Sequence, residues 1–346
     1  MPKPTGDGAA LLRAICDAPE EDTPRLAYAD WLDEQGGEAN VARAEFIRTQ
    51  IAEEAKGVEH LNYRPLTPRE IALYRPHYLA WKAELPEYPG LILSGESPYG
   101  FGYERGFVYQ LHAKSVRAYL KAAPDLFARV PVTEVRFQTI TPKTGAELAK
   151  SPALGRVRTL DQLVGLPDEA LREIGGSPHL RNLNRLIVSG REITMAGVGP
   201  LLANPAVTRL KEFRSSDCWA VGPGVVAALL ASASAPVLEV LGLDNTLKAD
   251  PGPPLATLLG LPKLRRLYLG SNRLGDEGIA SIASATPANA LSLNLGFNGV
   301  TDRGGEALLA GPLLRLPGVR AGLHGNQFSD AMKAQLKAAF GDRVGV

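Results

Sequence analysis

Leu264-Arg265-Arg266-Leu267-Tyr268-Leu269-Gly270-Ser271-Asn272-Arg273-Leu274 is the stretch that decides the fold. It spaces two leucines two apart and sets an asparagine three further on. The phrase returns with Leu293, Leu295, Asn298 and Val300, and again with Ala321, Leu323, Asn326 and Phe328. Self-similarity at a period of roughly 20–50 residues signals a stack of like units, each burying its apolar face against its neighbours.

Indexed by the first apolar residue of each strand, weaker copies extend toward the amino terminus. The index positions are Val135, Val157, Leu186, Phe213, Leu241, Leu267, Leu293 and Ala321, at spacings of 22, 29, 27, 28, 26, 26 and 28 residues. The asparagine position is Ile140, Gln162, Arg191, Cys218, Thr246, Asn272, Asn298 and Asn326. Leu267 and Leu269 alternate, so both point to one face of a strand and enter the core. The asparagine amide can satisfy backbone groups of the turn and the next repeat, and losing such a buried partner costs about 1–3 kcal/mol. A buried thiol at Cys218 is an accepted substitute there.

Each strand is followed by apolar residues three and four apart, such as Ile279, Ile282 and Ala283, which predict a helix. Gly275-Asp276 and Thr301-Asp302 are helix-start signals. Proline then ends each helix, at Pro131, Pro152, Pro178, Pro205, Pro236, Pro262, Pro287 and Pro317. The whole pattern resembles the long-period leucine-rich repeats of the ribonuclease-inhibitor type. The expected fold is α/β: a leucine-rich repeat solenoid, with parallel strands concave and helices convex, preceded by a small mostly helical domain. The expected boundary puts residues 1–104 in the helical domain and 105–346 in the solenoid. A helix over Ser329–Phe340, with Met332, Leu336 and Phe340 on one side, should seal the last repeat.

The amino-terminal third has its own composition. Nine of ten tyrosines and two of three tryptophans precede residue 120, which marks a separate core. Helices are expected over residues 8–17, after the Asp22-Thr23-Pro24 start, through Ala42–Ile51, and from Thr67 to Glu84 behind a capping-box order. Arg43, Glu45 and Arg48 are expected outside, and Pro86–Tyr103 reads as a surface connection. The strings DTPRLAYADWLD (Asp22–Asp33) and RAEFIRTQ (Arg43–Gln50), with Leu11-Leu12 before and Arg105-Gly106-Phe107-Val108 after, resemble the repeat-companion domain of planctomycete bacteria. That resemblance implies a bacterial, modular protein and no established reaction.

Composition narrows the function classes. A formal net charge of +1 gives no global argument for nucleic acid or a membrane surface. Two cysteines, Cys16 and Cys218, form no disulfide framework, and no 18-residue apolar run occurs, so a reducing cytoplasm and no membrane span are expected. His60, His77, His112, His179 and His324 show no metal-ligand spacing, and no glycine-rich phosphate loop follows a strand. No cofactor is implied. Asp30, Asp33 and Glu34 read as a solvated helix face, pairing with Arg25 or Arg43. A cysteine-dependent enzyme centred on Cys218 is the enzymatic alternative, although burial at the asparagine position raises a thiol's pKa.

One constellation points to binding. The residues before, between and after the two strand leucines face the concave surface. Over eight copies these include Arg136, Arg156, Arg158, Arg185, Arg214, Arg266 and Arg320, against Glu134, Glu212 and Asp244, with Tyr268 and His324 adding aromatic surface. Seven against three makes that face about +4. Arginine reads carboxylates bidentately and is enriched at binding hot spots. The expectation is a monomeric, noncatalytic scaffold binding an acidic protein partner through Arg136, Arg158, Arg185, Arg214, Arg266, Tyr268 and Arg320. Binding of nucleic acid along the arginine row is the other alternative. Replacing Arg158, Arg185 and Arg214 with glutamate is expected to abolish binding with little change in melting temperature.

Overall fold

The computed structural model describes residues 6–56, 65–94, 102–164, 166–248 and 253–346. The chain divides into two compact units, Met1–Thr139 and Ile140–Val346.

The first unit begins with helices α1 (Asp7–Asp17), α2 (Thr23–Gln35) and α3 (Glu38–Ala55). Gly36 and Gly37, both at positive φ, separate α2 from α3 as the glycine pair predicts. The single helix expected from Thr67 to Glu84 is two, α4 (Pro68–Tyr74) and α5 (Tyr78–Lys82). Pro76 lies between them and cannot donate the backbone hydrogen bond that would join them. The Thr67–Glu70 capping box is made, with Glu70 accepting from the Thr67 amide at 2.6 Å. Then come β1 (Leu91–Leu93), β2 (Tyr103–Glu104), β3 (Phe107–Val108), β4 (Gln110–Ala113), α6 (Val116–Arg129) and β5 (Glu134–Phe137). Strands β4 and β5 pair in parallel with Leu111 opposite Val135, so Leu111 is the index residue of a further copy of the repeat. β1 pairs antiparallel with β4. It falls within the stretch expected as a surface connection, of which residues 95–101 lie outside the described residues.

The second unit alternates strand and helix. In order these are α7 (Pro142–Ala149), β6 (Thr159–Val164), α8 (Asp168–Gly175), β7 (Arg185–Ser189), α9 (Met195–Leu202), β8 (Glu212–Ser216), α10 (Gly224–Ala231), β9 (Val240–Gly242), α11 (Pro253–Leu259), β10 (Arg266–Tyr268), α12 (Gly275–Ala283), β11 (Ser292–Asn294), α13 (Asp302–Ala310), β12 (Arg320–Gly322), α14 (Asp330–Phe340) and β13 (Val344–Gly345). From β6 to β13 each strand pairs in parallel with the next. Leu241, Leu267 and Leu293 stand in one register row, all buried. This is a leucine-rich repeat solenoid.

Two ladders of polar contacts bind successive repeats. At the strand exits, the Asn272 amide oxygen accepts from the Thr246 and Leu247 amides at 2.9 and 2.7 Å, and its nitrogen donates to the Leu243 carbonyl at 2.8 Å. Asn298 accepts from the Asn272 amide at 3.0 Å and donates to Leu269, Leu295 and Gly296. Asn326 accepts from the Asn298 and Val300 amides at 2.9 and 3.2 Å. Thr246 holds the same position with its hydroxyl, donating to the Ser215 carbonyl at 2.6 Å. The second ladder joins helix starts. Asp276, in the first turn of α12, accepts from the Thr301 amide at 2.8 Å and hydroxyl at 2.7 Å, and Thr301 in turn caps α13. Asp168 receives the same pair of contacts from Thr194, and Asp302 accepts from the Ser329 amide at 2.7 Å.

Candidate functional site

Register decides which side chains stand on the open face of the sheet. Leu160 pairs with Leu186, so the index residue of that copy is Leu160 and not Val157. The odd spacing of 29 residues then becomes 26, in line with the copies that follow. The sequence misled because Val157 and Leu160 are both apolar, and Val157 in fact takes the position of Leu183 and Leu264. Arg156 and Arg158 therefore leave the strand row. The Arg158 carbonyl accepts from the Asn184 and Arg185 amides at 2.8 and 3.0 Å, which puts it at the strand entrance beside the row of Asn184, Lys211, Glu239 and Arg265. Burial, with Arg209 nearby, pushes its guanidinium down to about 10.

The arginines that stay on strands are largely spoken for. Glu212 sits between Arg185 and Arg214, with N···O distances of 3.2 and 2.5 Å. The Arg214 stem runs across Gly242, where a Cβ would fall 3.0 Å from its Cγ. Its guanidinium then lies 5.2 Å from the Tyr268 ring centre, two strands along the row. In the first unit Arg136 pairs with Glu134 at 3.0 Å, and Gln110 donates to the same carboxylate. Among the described outward positions of the second unit, Arg185, Arg214, Arg266 and Arg320 face Glu212 and Asp244. The sheet is less basic than the expected +4. Asp244 is also engaged, accepting from the Gly270 amide at 2.7 Å, while burial raises its pKa. Arg266 and Arg320 flank the short, exposed Ser292 in register.

Cys218 is fully buried. Its thiol lies 3.3 Å from the Ser216 carbonyl, and burial raises its pKa. It takes over the donor half of the asparagine's task, its thiol reaching the Val188 and Ser216 carbonyls. Among the described residues no group of three or more His, Cys, Asp or Glu is placed to hold a metal ion. His60 lies outside the described residues.

The strings of the first unit that carry the family resemblance also have a structural use. Arg105 and Gly106 form a two-residue turn between β2 and β3, with φ of 47° and 83°. Arg25 donates to the Arg105 carbonyl at 3.2 Å, and Gln50 accepts from the Gly106 amide at 2.6 Å. Arg105 forks onto Glu54 at 2.8 and 2.7 Å. A side chain at Gly106 would collide with Ile47. Phe107 is flanked by the guanidinium groups of Arg25 and Arg43, at 5.1 and 5.4 Å. Arg43 is thus inside and paired with Glu84, not on the outer face. Arg48, rather than Arg25 or Arg43, meets Asp30 and Asp33, at 2.6 and 2.8 Å.

One cluster escaped the sequence reading. Trp219, 41% exposed, stands on a strand-exit turn with the Arg191 guanidinium 4.5 Å and the Lys248 ammonium 4.6 Å from its ring centre. The three belong to successive repeats: Arg191 occupies the asparagine position of its copy, and Trp219 and Lys248 follow it by one and two residues in theirs. Counting only strand positions left them out.

Residues 260–283 and 291–309 match a family model described as Leucine Rich repeat. No curated protein matches the chain. Among solved structures, the crystal structure of the Rad7 and Elc1 complex in yeast is similar over 97% of this chain and 91% of that one, at 11% identity and a TM-score of 0.34. The TLR13–ssRNA13 complex is similar over 57% of this chain and 33% of that one, at 19% identity and a TM-score of 0.28. This chain spans about a third of the second structure's length.

Proposed function

We propose that the protein is a noncatalytic scaffold that binds a protein partner with an acidic surface on the concave face of its repeats. The observation that carries this reading is the Arg266–Ser292–Arg320 row. Two arginines, two strand spacings (about 10 Å) apart at the backbone, flank a short side chain. That spacing leaves room for a carboxylate to be met from both sides, and arginine makes such contacts bidentately. Strand-borne side chains are held in place before binding, so little ordering entropy is lost. Arg214 over Tyr268 extends the surface toward β8. No membrane-crossing helix is found among the described residues. We place the protein in the cytoplasm as a monomer, with residues 1–104 as a repeat-companion module and 105–346 as the binding solenoid.

The test is R266E/R320E in the full chain, used as bait in extracts of the native cell after nuclease treatment. A captured acidic protein should be lost with the variant while the melting temperature stays within about 2–4 °C, the shift that 1 kcal/mol gives a unit of this size. Unchanged capture of that protein would remove the concave reading. The Arg158, Arg185 and Arg214 triple substitution no longer separates binding from folding, because it strips Glu212 of both its cations. A nucleic-acid partner would instead reveal itself by steep weakening with salt.

A further inference from the structure

Among the described residues, Trp219 and Phe297 are the exposed large hydrophobic side chains of the second unit, and both adjoin the asparagine position. Trp219 follows Cys218 directly. With the thiol fixed inside by the strand-exit carbonyls, the next side chain is directed outward. The surrounding backbone is tightly wound. Asp217 and Asn245 take the left-handed φ, 57° and 53°, that Ser271 and Phe297 take at the same place in later repeats, and Lys248 is left-handed as well. The Lys248 ammonium donates to the Asn245 amide oxygen, and the Asn245 nitrogen donates to Asp217 at 2.5 Å, which fixes the turn.

What distinguishes this cluster is the state of its cations. The strand arginines Arg185 and Arg214 are held by Glu212. Among the described residues, neither Arg191 nor Lys248 has a carboxylate partner; both lie against the indole, and Lys248 spends one of its three N–H donors on Asn245. A contact with a ring face orients a cation without using up its N–H donors. The result is two positioned donors beside an apolar ring edge. Carboxylate oxygens would meet the donors, and side-chain methylenes would lie on the ring.

We propose that Arg191, Trp219 and Lys248 form a clamp that reads the glutamate or aspartate side chains of an acidic segment in a protein partner. The inference rests on the acidic-partner reading above, and adds to the contact on the open sheet a second, independent one at the strand-exit turns of three repeats.

The probe is a fluorescein-labelled, end-blocked ten-glutamate peptide titrated with the full chain at low salt. A ten-glutamine peptide and inorganic phosphate serve as controls. The parent should bind the glutamate peptide and not the glutamine one, and phosphate should not displace it. R191E/K248E should weaken binding at least about tenfold and W219A about three- to fivefold, in the range of exposed ion-pair and cation–π contributions. R266E/R320E should change it less than about twofold. Where charge reversal lowers the melting temperature, R191Q/K248Q replaces it. Equal binding by parent and R191E/K248E overturns the clamp, as does full displacement by phosphate, which marks an anion site only. Loss of binding in R266E/R320E alone removes the clamp and leaves the concave reading standing. Failure of the parent to bind the glutamate peptide removes both.

Discussion

The asparagine at the strand exit joins each repeat to the one before it. Each of Asn272, Asn298 and Asn326 accepts from two backbone amides and donates to strand carbonyls, with Asn272 and Asn298 fully buried and Asn326 half-buried. Asn298→Ala would leave the Asn272 amide and the Leu269 and Leu295 carbonyls short of a partner. We expect a loss of about 1–3 kcal/mol, measured by denaturant unfolding of the variant against the parent. A change below about 0.5 kcal/mol would mean that the ladder is ornamental. The position and role of these asparagines were legible from sequence, because the motif states a spacing and the spacing fixes the geometry. Arg158 was not legible. A copy with two apolar residues three apart, Val157 and Leu160, offers two registers, and only pairing with Leu186 chooses between them. Arg43 misled for another reason. Helical position alone cannot foresee that Glu84, from a distant stretch of chain, will neutralise a guanidinium inside.

At the level of the element, helices in the second unit are tied to one another at their starts. Asp276 and Thr301 illustrate the device, since one aspartate receives both the amide and the hydroxyl of the next helix's cap. Burial draws the Asp276 carboxyl upward, but the hydrogen bonds from Thr301 and Gly304 outweigh it and leave its pKa below the ordinary aspartate value. A depressed folded-state pKa adds stability above the unfolded value near 4, and that stability disappears as pH falls through the folded value. Asp276→Asn should therefore lower stability by about 1 kcal/mol at pH 7, discounted for its solvent contact, and the gap should close below about pH 3. Melting temperatures of both proteins from pH 7 to pH 2.5 check this, and a gap independent of pH would refute it. Helix starts at Gly275-Asp276 and Thr301-Asp302 were readable as local signals. Their linkage was not, because it joins residues 25 positions apart. The break at Pro76 has a local cause in the sequence too, because a proline inside a helical stretch removes a backbone donor.

For the second unit as a whole, each repeat leans on its neighbours, so stability is a sum of local and nearest-neighbour parts. Amide oxygens serve the turns from Thr246 onward, whereas the Cys218 turn relies on a weak thiol donor. Hydrogen exchange should reflect this unevenness. The amides of Thr246, Leu247, Asn272 and Asn298 should exchange markedly more slowly than those of Cys218 and Trp219, and uniform protection would speak against it. The asparagine ladder also has a direction. Every side-chain oxygen in it reaches back, toward the copy that precedes it in the chain. Closure of each of these turns therefore depends on the copy that follows it, so a chain cut back by one copy would leave the new last turn open.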